Sequence, residues 1–258
     1  MTDVASSTPA GSSSLQQPDY WWYRARAGLL REALGSYLGQ PARVLDVGSA
    51  DGPSVGWMHG SHERFAIDVD PRGLTPGRST CASALALPFP DGTFDVVGAF
   101  DVLEHCEPES VAIKELARVV APGGRLLMSV PAYQWAWSDH DVRAGHHRRY
   151  TKARLLAAVG QTDLSVVRST YAFGAVFPFF AAERVVRRLK RGADADTSAN
   201  RLPQVSPTMD KVLMSLTRAE QKVIRNRDIP FGSSVLVAAV KGGPAQSLEQ
   251  PVPTGSDT

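Results

Sequence analysis

Arg43-Val44-Leu45-Asp46-Val47-Gly48-Ser49-Ala50-Asp51-Gly52 is the stretch whose reading decides the fold. Val44-Leu45-Asp46-Val47 is a short, largely β-branched apolar run with one acid in it, the pattern of a parallel strand buried on both faces. Gly48 and Gly52 then bracket a tight turn, and Pro53 stands where a helix begins, a position at which its missing N–H costs nothing. A strand, a glycine turn and a helix N-terminus in that order make a cradle for a ligand.

Regular patterns extend outward on both sides. Residues 20–38 carry Trp22, Leu29, Leu30, Ala33, Leu34, Tyr37 and Leu38 at helical spacing, and Gly39-Gln40-Pro41 ends the run. After the turn the expected order is a helix from about Pro53, a strand at 65–69 with Asp68 near its end, a strand at 94–100, a helix at 109–120 and a strand at 125–130. Strands alternating with helices imply βαβ units, so the fold class is α/β: a doubly wound, mostly parallel sheet with helices on both faces.

The second half is less regular. Residues 131–150 are polar and aromatic without periodicity, a long loop of the kind that usually carries function. Thr151 is placed to cap a short helix ending at Gly160, and 164–171 reads as a strand. Residues 172–190 and 209–226 show helical spacing, and 233–240 is a final strand, so a helical insertion at about 172–232 precedes the last strand. Residues 1–18 and 243–258 are expected to be disordered tails, poor in large apolar side chains, around a single domain at 19–242.

Composition narrows the class. With 258 residues, 43% of them hydrophobic, the chain can bury one sizeable core. A formal charge of +2 does not fit a general nucleic-acid binder, so no nucleic-acid partner is expected. Cys81 and Cys106 make neither a disulfide framework nor a zinc spacing. No run of 18 apolar residues and no basic-then-apolar leader is found, and a soluble, cytoplasmic protein is expected.

Spacing decides what the glycine turn can hold. A phosphate-binding P-loop needs Gly-Lys-Ser/Thr after four residues, and no Lys follows here. A dinucleotide turn needs G-x-G-x-x-G, and Ala50 and Pro53 occupy its second and third glycine positions. What remains is Asp46-x-Gly48-x-x-x-Gly52, with a further acid, Asp68, 20 residues after Gly48.

That combination resembles the class I S-adenosylmethionine-dependent methyltransferases, whose first motif is an acid followed by G-x-G-x-G, here with Ala50 at the middle glycine. Phe65-Ala66-Ile67-Asp68-Val69-Asp70-Pro71 is similar to the second motif, and Ser83-Ala84-Leu85-Ala86-Leu87-Pro88-Phe89-Pro90 to the D-A-x-x-L-P-F segment, with Ser83 in place of Asp. Phe94-Asp95-Val96-Val97, Asp101-Val102-Leu103-Glu104-His105 and Arg118-Val119-Val120-Ala121-Pro122-Gly123-Gly124 continue the likeness, which is dense over about 43–131. Trp21-Trp22-Tyr23-Arg24-Ala25-Arg26, Trp137-Ser138-Asp139-His140-Asp141 and Gly145-His146-His147-Arg148-Arg149-Tyr150 resemble one bacterial small-molecule subgroup with W-W-x-x-x-R and H-x-R-R-Y segments.

The resemblance implies a Rossmann-like seven-stranded sheet, S-adenosylmethionine as cofactor and S-adenosylhomocysteine as its product. It implies cofactor contacts at Asp46, Gly48, Ser49, Ala50 and Gly52 in the turn, and at Asp68 and Val69, with Asp68 on the ribose hydroxyls. Ser83, Ala84 and Leu85 would lie along the adenine, Phe100 and Asp101 are further cofactor contacts, and Trp22 and Arg26 would stand on a lid. Asp70, before Pro71, is the better helix cap of the two nearby acids.

His105, at the carboxyl end of the fourth strand, is placed to take a proton from an acceptor; packing of its loop is the equal alternative. His146 and Tyr150 are further catalytic candidates, with Tyr133, Trp137, Asp141 and Arg149 as an acceptor-binding wall. A loop held internally by Arg148 or Arg149 explains the same residues. The histidines fit no zinc signature, and no metal is expected. The implied activity is methyl transfer to an O or N, or else a C, nucleophile of a small metabolite or natural-product intermediate. A polyprenyl or glycolipid acceptor, drawn from the basic, Phe-rich segment at 172–191, and a non-catalytic cofactor-binding regulator are the alternatives.

Overall fold

The computed structural model describes residues 19–48, 53–74, 77–190 and 205–242. The expected tails, and Ser49, Ala50, Asp51 and Gly52 of the turn, lie outside the described residues. The elements are α1 (Trp21–Leu34), β1 (Arg43–Val47), β2 (Glu63–Asp68), β3 (Ser79–Cys81), β4 (Phe94–Phe100), α2 (Glu109–Val119), β5 (Val120–Pro131), α3 (Asp139–Arg143), α4 (Lys152–Val159), β6 (Leu164–Ala172), α5 (Phe177–Lys190), α6 (Pro207–Ile224) and β7 (Ser234–Lys241).

One seven-stranded sheet runs in the order β3-β2-β1-β4-β5-β7-β6. Pairing is parallel from β3 through β5, while β7 lies antiparallel between β5 and β6. Successive strand residues face opposite sides, and the core divides accordingly. Leu45, Val97, Leu126 and Val237 pack with Ile113 and Leu116 of α2 and Leu155 of α4. Val44, Val96, Leu127 and Leu236 pack with Leu29, Leu30 and Leu34 of α1 and Leu213 and Ile224 of α6. Each fully buried leucine of α1 contributes about 1.5–3 kcal/mol, which docks a helix whose first turn has no acidic residue to favour it.

Several expectations change in detail. The helix expected from Pro53 is a short 3-10 helix, Pro53–Met58, because Gly56 interrupts it and Gly60 and Ser61 leave too few residues to nucleate an α-helix. A three-residue edge strand, Ser79–Cys81, has no apolar run to announce it. The helix expected from 172 starts at Phe177, because β6 runs on to Ala172 and Phe173 is left-handed with φ 63°. Thr151 does cap α4, accepting the Arg154 amide, and Asp70 caps the turn at Pro71–Gly73. Among the described residues no helix is long and apolar enough to cross a membrane.

Two polar knots hold the loops that lead to the carboxyl edge of the sheet. Arg118 donates to the carbonyls of Leu87 and Phe89, at 3.0 and 2.8 Å, and Glu115 accepts the Leu87 amide, which fixes the segment after Ser83. Arg168 of β6 donates to Ala33 at 2.6 Å and to Ile224, the last-turn carbonyls of α1 and α6, and pairs with Asp228. Those carbonyls have no partner within their helices. Replacing Arg168 by Ala is expected to lower stability by about 2–4 kcal/mol, since buried acceptors lose their donor. Urea denaturation checks this, and an unchanged midpoint would contradict the clamp.

Candidate active site

Six strands, all but β7, run the same way and end on one edge, and the chain leaves that edge in strained conformations. Asp101 follows β4 with φ 58°, Tyr133 follows β5 with φ 62° and Phe173 follows β6 with φ 63°. Left-handed backbone is uncommon away from glycine and costs about 1–3 kcal/mol, so three cases on one edge mark a constrained site. Gly48, directly after β1, has φ 77°, and a Cβ there would meet Val102 Cγ2 at 2.6 Å. Its amide donates to the Ile67 carbonyl at 2.7 Å, drawing the ends of β1 and β2 together.

The residues expected to bind a cofactor gather along this edge. Asp46 is fully buried at the end of β1, with Arg64 3.8 Å from its carboxylate. Asp68 ends β2 and accepts the Asp70 amide at 2.8 Å. Burial pushes its carboxyl above the ordinary range, against the hydrogen bond that lowers it. Val69, just beyond, is open to solvent. The Ala82 amide donates to the Asp68 carbonyl, and Ser83 Oγ accepts the Leu85 amide at 3.1 Å, so the turn carrying Ser83, Ala84 and Leu85 is hooked to the end of β2. Phe100 is buried against Trp57 and belongs to the core.

Helix α1 reaches the same edge. Arg26 is buried, pairs with Asp101 at 2.8 Å and donates to Ser129 Oγ at 3.2 Å, while Ser129 donates to the other Asp101 oxygen at 2.8 Å. The Arg26 guanidinium also lies 5.5 Å from the centre of the Trp22 ring, and Trp22 stacks on Phe173 at 5.7 Å.

On the other side of the crevice the loop after β5 turns about Asp141. This fully buried carboxylate accepts from Arg149 Nε and Nη2 at 2.7 and 3.1 Å, from the Ser138 amide at 2.8 Å, and faces His146 Nδ1 at 2.8 Å. Burial works against the charge, yet the His146 and Arg149 hydrogen bonds hold the carboxyl well below the usual carboxylate range. Asp141 and Arg149 are therefore tied to each other inside the loop. Tyr150, expected among the catalytic groups, lies elsewhere: it is fully buried and its hydroxyl donates to Glu109 at 2.6 Å. Burial and that carboxylate push its hydroxyl far above the ordinary tyrosine value.

Tyr133 stacks between Trp135 and Tyr171, at 5.9 and 5.4 Å, with Phe177 beside it at 5.4 Å. Trp137 is half-buried where the loop turns into α3. His105 meets His146 edge to face at 4.6 Å. Although part of its ring is open to solvent, burial of the remainder and then the neighbouring His146 push its imidazole down to about 4. Next to it is a residue the sequence pattern did not single out. Glu104 is fully buried, and burial followed by the nearby Asp101 carboxylate push it well above its ordinary value. Phe173 and Ser129 were also missed, because their role comes from contacts made across the sheet edge.

Residues 45–128 match a family model described as a methyltransferase domain. The chain is 29% identical over 187 residues to the malonyl-[acyl-carrier protein] O-methyltransferase of Erwinia billingiae, covering 59% of this chain and 74% of that one. It is 32% identical over 148 residues to the enzyme of that name from Pseudescherichia vulneris, covering 52% of this chain and 58% of the relative. The fold matches a SAM-dependent methyltransferase from Archaeoglobus fulgidus with a TM-score of 0.56, at 14% identity over 88% of this chain and 98% of that one. Residues 45–128 are thus a methyltransferase domain, on the Rossmann-like fold of the S-adenosylmethionine-dependent enzymes.

The edge residues suit the methyltransferase cofactor. Asp68 accepts one amide and keeps lone pairs for hydroxyl donors. Gly48 exposes backbone where any side chain would strike Val102. S-adenosylmethionine would be held by these groups, together with the turn that carries Ser83.

Asp141 supplies a test of the loop after β5. Its depressed carboxyl contributes stability that is fully present above the ordinary carboxylate pKa of about 3.9 and is lost as pH falls below it. Asp141→Asn is expected to cost about 3–5 kcal/mol at neutral pH, since Arg149 loses its buried partner. The denaturation midpoint of the variant should also fall less than wild type between pH of about 5 and 3. Equal slopes would show that Asp141 is not held ionised by this network.

Proposed function

We propose that this methyltransferase acts on an O or N nucleophile of a small metabolite or natural-product intermediate, and that the acceptor is bound between the aromatic group around Tyr133 and the Glu104–His105–His146 cluster. The observation that carries the reading is the sharing of one sheet edge by two sets of residues. Gly48, Asp68 and Asp101 form a polar set, and His105 and His146 meet ring to ring at 4.6 Å beyond the end of β4. The relatives' printed substrate makes a carboxylate oxygen one of the O nucleophiles within this reading.

When bound, the cofactor supplies a methyl group already activated on a positively charged sulfur. The protein's work is then alignment, exclusion of water and control of one proton. Asp68 binds ribose hydroxyls through charge-assisted hydrogen bonds. Arg26 and Trp22 hold α1 across the crevice, and the Arg26–Asp101 pair keeps that cover in register. Tyr133 offers a ring face rather than a base, since burial and then a hydrogen bond with Tyr171 push its hydroxyl up to about 12. The acceptor proton is released at the cluster of Glu104, His105 and His146.

Incubating the protein with methyl-labelled S-adenosylmethionine and fractionated metabolite extract is expected to label a small-molecule fraction. Tight cofactor binding with no labelled fraction would favour a non-catalytic regulator. Asp68→Ala is expected to weaken S-adenosylhomocysteine binding by about ten- to a hundredfold, the worth of a pair of charge-assisted hydrogen bonds. Calorimetry reads this, and an affinity equal to wild type would remove Asp68 from the cofactor site.

A lipid-borne acceptor is the second reading. Phe179, Val185 and Val186 lie open on α5, at 64%, 53% and 47% exposure, on a segment rich in arginine. Failure to co-sediment with anionic vesicles would exclude it.

A further inference from the structure

We propose that Glu104, His105 and His146 form a binding site for a divalent first-row transition cation, which would take up a hydroxyl-bearing acceptor. Glu104 and His105 sit on the short turn Leu103–His105 after β4, and His146 lies on the loop after α3. The His147 amide donates to the Glu104 carbonyl at 2.8 Å and pins the two segments together. One donor atom from each of the three side chains lies within 4.8 Å of the others. Donors about 2.1 Å from a common tetrahedral ion stand about 3.4 Å apart, so side-chain shifts on the order of 1 Å complete the set.

Three features point to a cation rather than to a packed polar cluster. First, Glu104 is fully buried, and apart from its own amide neither carboxylate oxygen has a hydrogen-bond partner among the described residues. Buried carboxylates are normally paired, hydrogen-bonded or metal-bound. Second, the two guanidiniums that act on it are already paired elsewhere, Arg26 with Asp101 and Arg149 with Asp141. Third, His146 Nδ1 faces Asp141 Oδ1 at 2.8 Å. An ionised carboxylate can only accept, which puts the ring proton on Nδ1 and the lone pair on Nε2. A histidine held from behind by a carboxylate is the arrangement that orients metal ligands.

Two imidazoles and one carboxylate favour Mn, Fe, Co or Zn over Ca or Mg. Three protein donors leave positions open for a substrate atom, as in catalytic rather than structural sites. A hydroxyl coordinated there would ionise more readily, releasing its proton to solvent at the partly exposed side of the cluster. This deepens the acceptor reading above and rests on it for the identity of the bound hydroxyl.

The test uses full-length, tag-free protein freed of metal with EDTA and titrated with Mn, Co or Zn salts, with calorimetry and the visible absorption of Co as readouts. S-adenosylhomocysteine affinity of the same samples reports separately on folding and on the cofactor site. The expected result is one equivalent of cation bound, with affinity lowered at least tenfold in Glu104→Gln, His105→Ala and His146→Asn while S-adenosylhomocysteine binding stays at the wild-type level. Glu104→Gln keeps the buried shape, and His105→Ala alters a partly exposed ring, so both leave the fold intact. Wild-type protein that binds S-adenosylhomocysteine but none of the three cations would overturn the proposal and leave the methyltransferase assignment standing. Cation uptake equal in wild type and all three variants would overturn it too.

Discussion

The ion pair between Arg26 and Asp101, 2.8 Å long, is the contact on which the geometry of the site depends. It joins the helix before the sheet to the residue that follows β4, and Ser129 of β5 bonds to both partners. A guanidinium this buried cannot be left alone, because breaking such a pair leaves an uncompensated charge worth about 3–5 kcal/mol. The net gain over an apolar packing is small by the same argument, so the pair serves placement more than stability. It sets the angle of α1, holds Asp101 in its left-handed conformation, and leaves Trp22 stacked on Phe173.

Much of the architecture is legible in the chain because buried strands write themselves as apolar runs. Val44 to Val47, Phe94 to Phe100 and the run ending at Val240 each put alternate side chains into two different layers, and a run of that kind has few other homes. Local caps are legible for the same reason: Thr151 and Asp70 act within three residues of themselves. What escapes the pattern is anything decided at a distance. Tyr150 reads as a catalytic candidate in a polar loop, yet it is fully buried with its hydroxyl on Glu109, 41 residues away. Glu104 gives no local sign that it is buried, since its surroundings come from α1, β4 and the loop after β5. Phe173 ends β6 by taking a left-handed conformation that its neighbours in sequence do not announce.

The loop after β5 resolves the two readings of its residues by dividing them. Its inner side, Ser138, Asp141 and Arg149, is a closed hydrogen-bond network that holds the segment in one shape. Its outer side offers Tyr133 and Trp135 as ring surfaces and His146 as an oriented imidazole. A rigid back and an accessible front are what positioning on the scale of a few tenths of an ångström requires.

The clamp at Arg168 bears on how anything enters this crevice. Arg168 holds the last turn of α1 and the last turn of α6 to one strand, and Leu29, Leu30 and Leu34 are sealed in the layer beneath. Helix α1 is thus held along its length, by Arg168 at its carboxyl end and by the Arg24–Asp210 and Arg26–Asp101 pairs nearer its start. A helix so mounted does not swing as a rigid door.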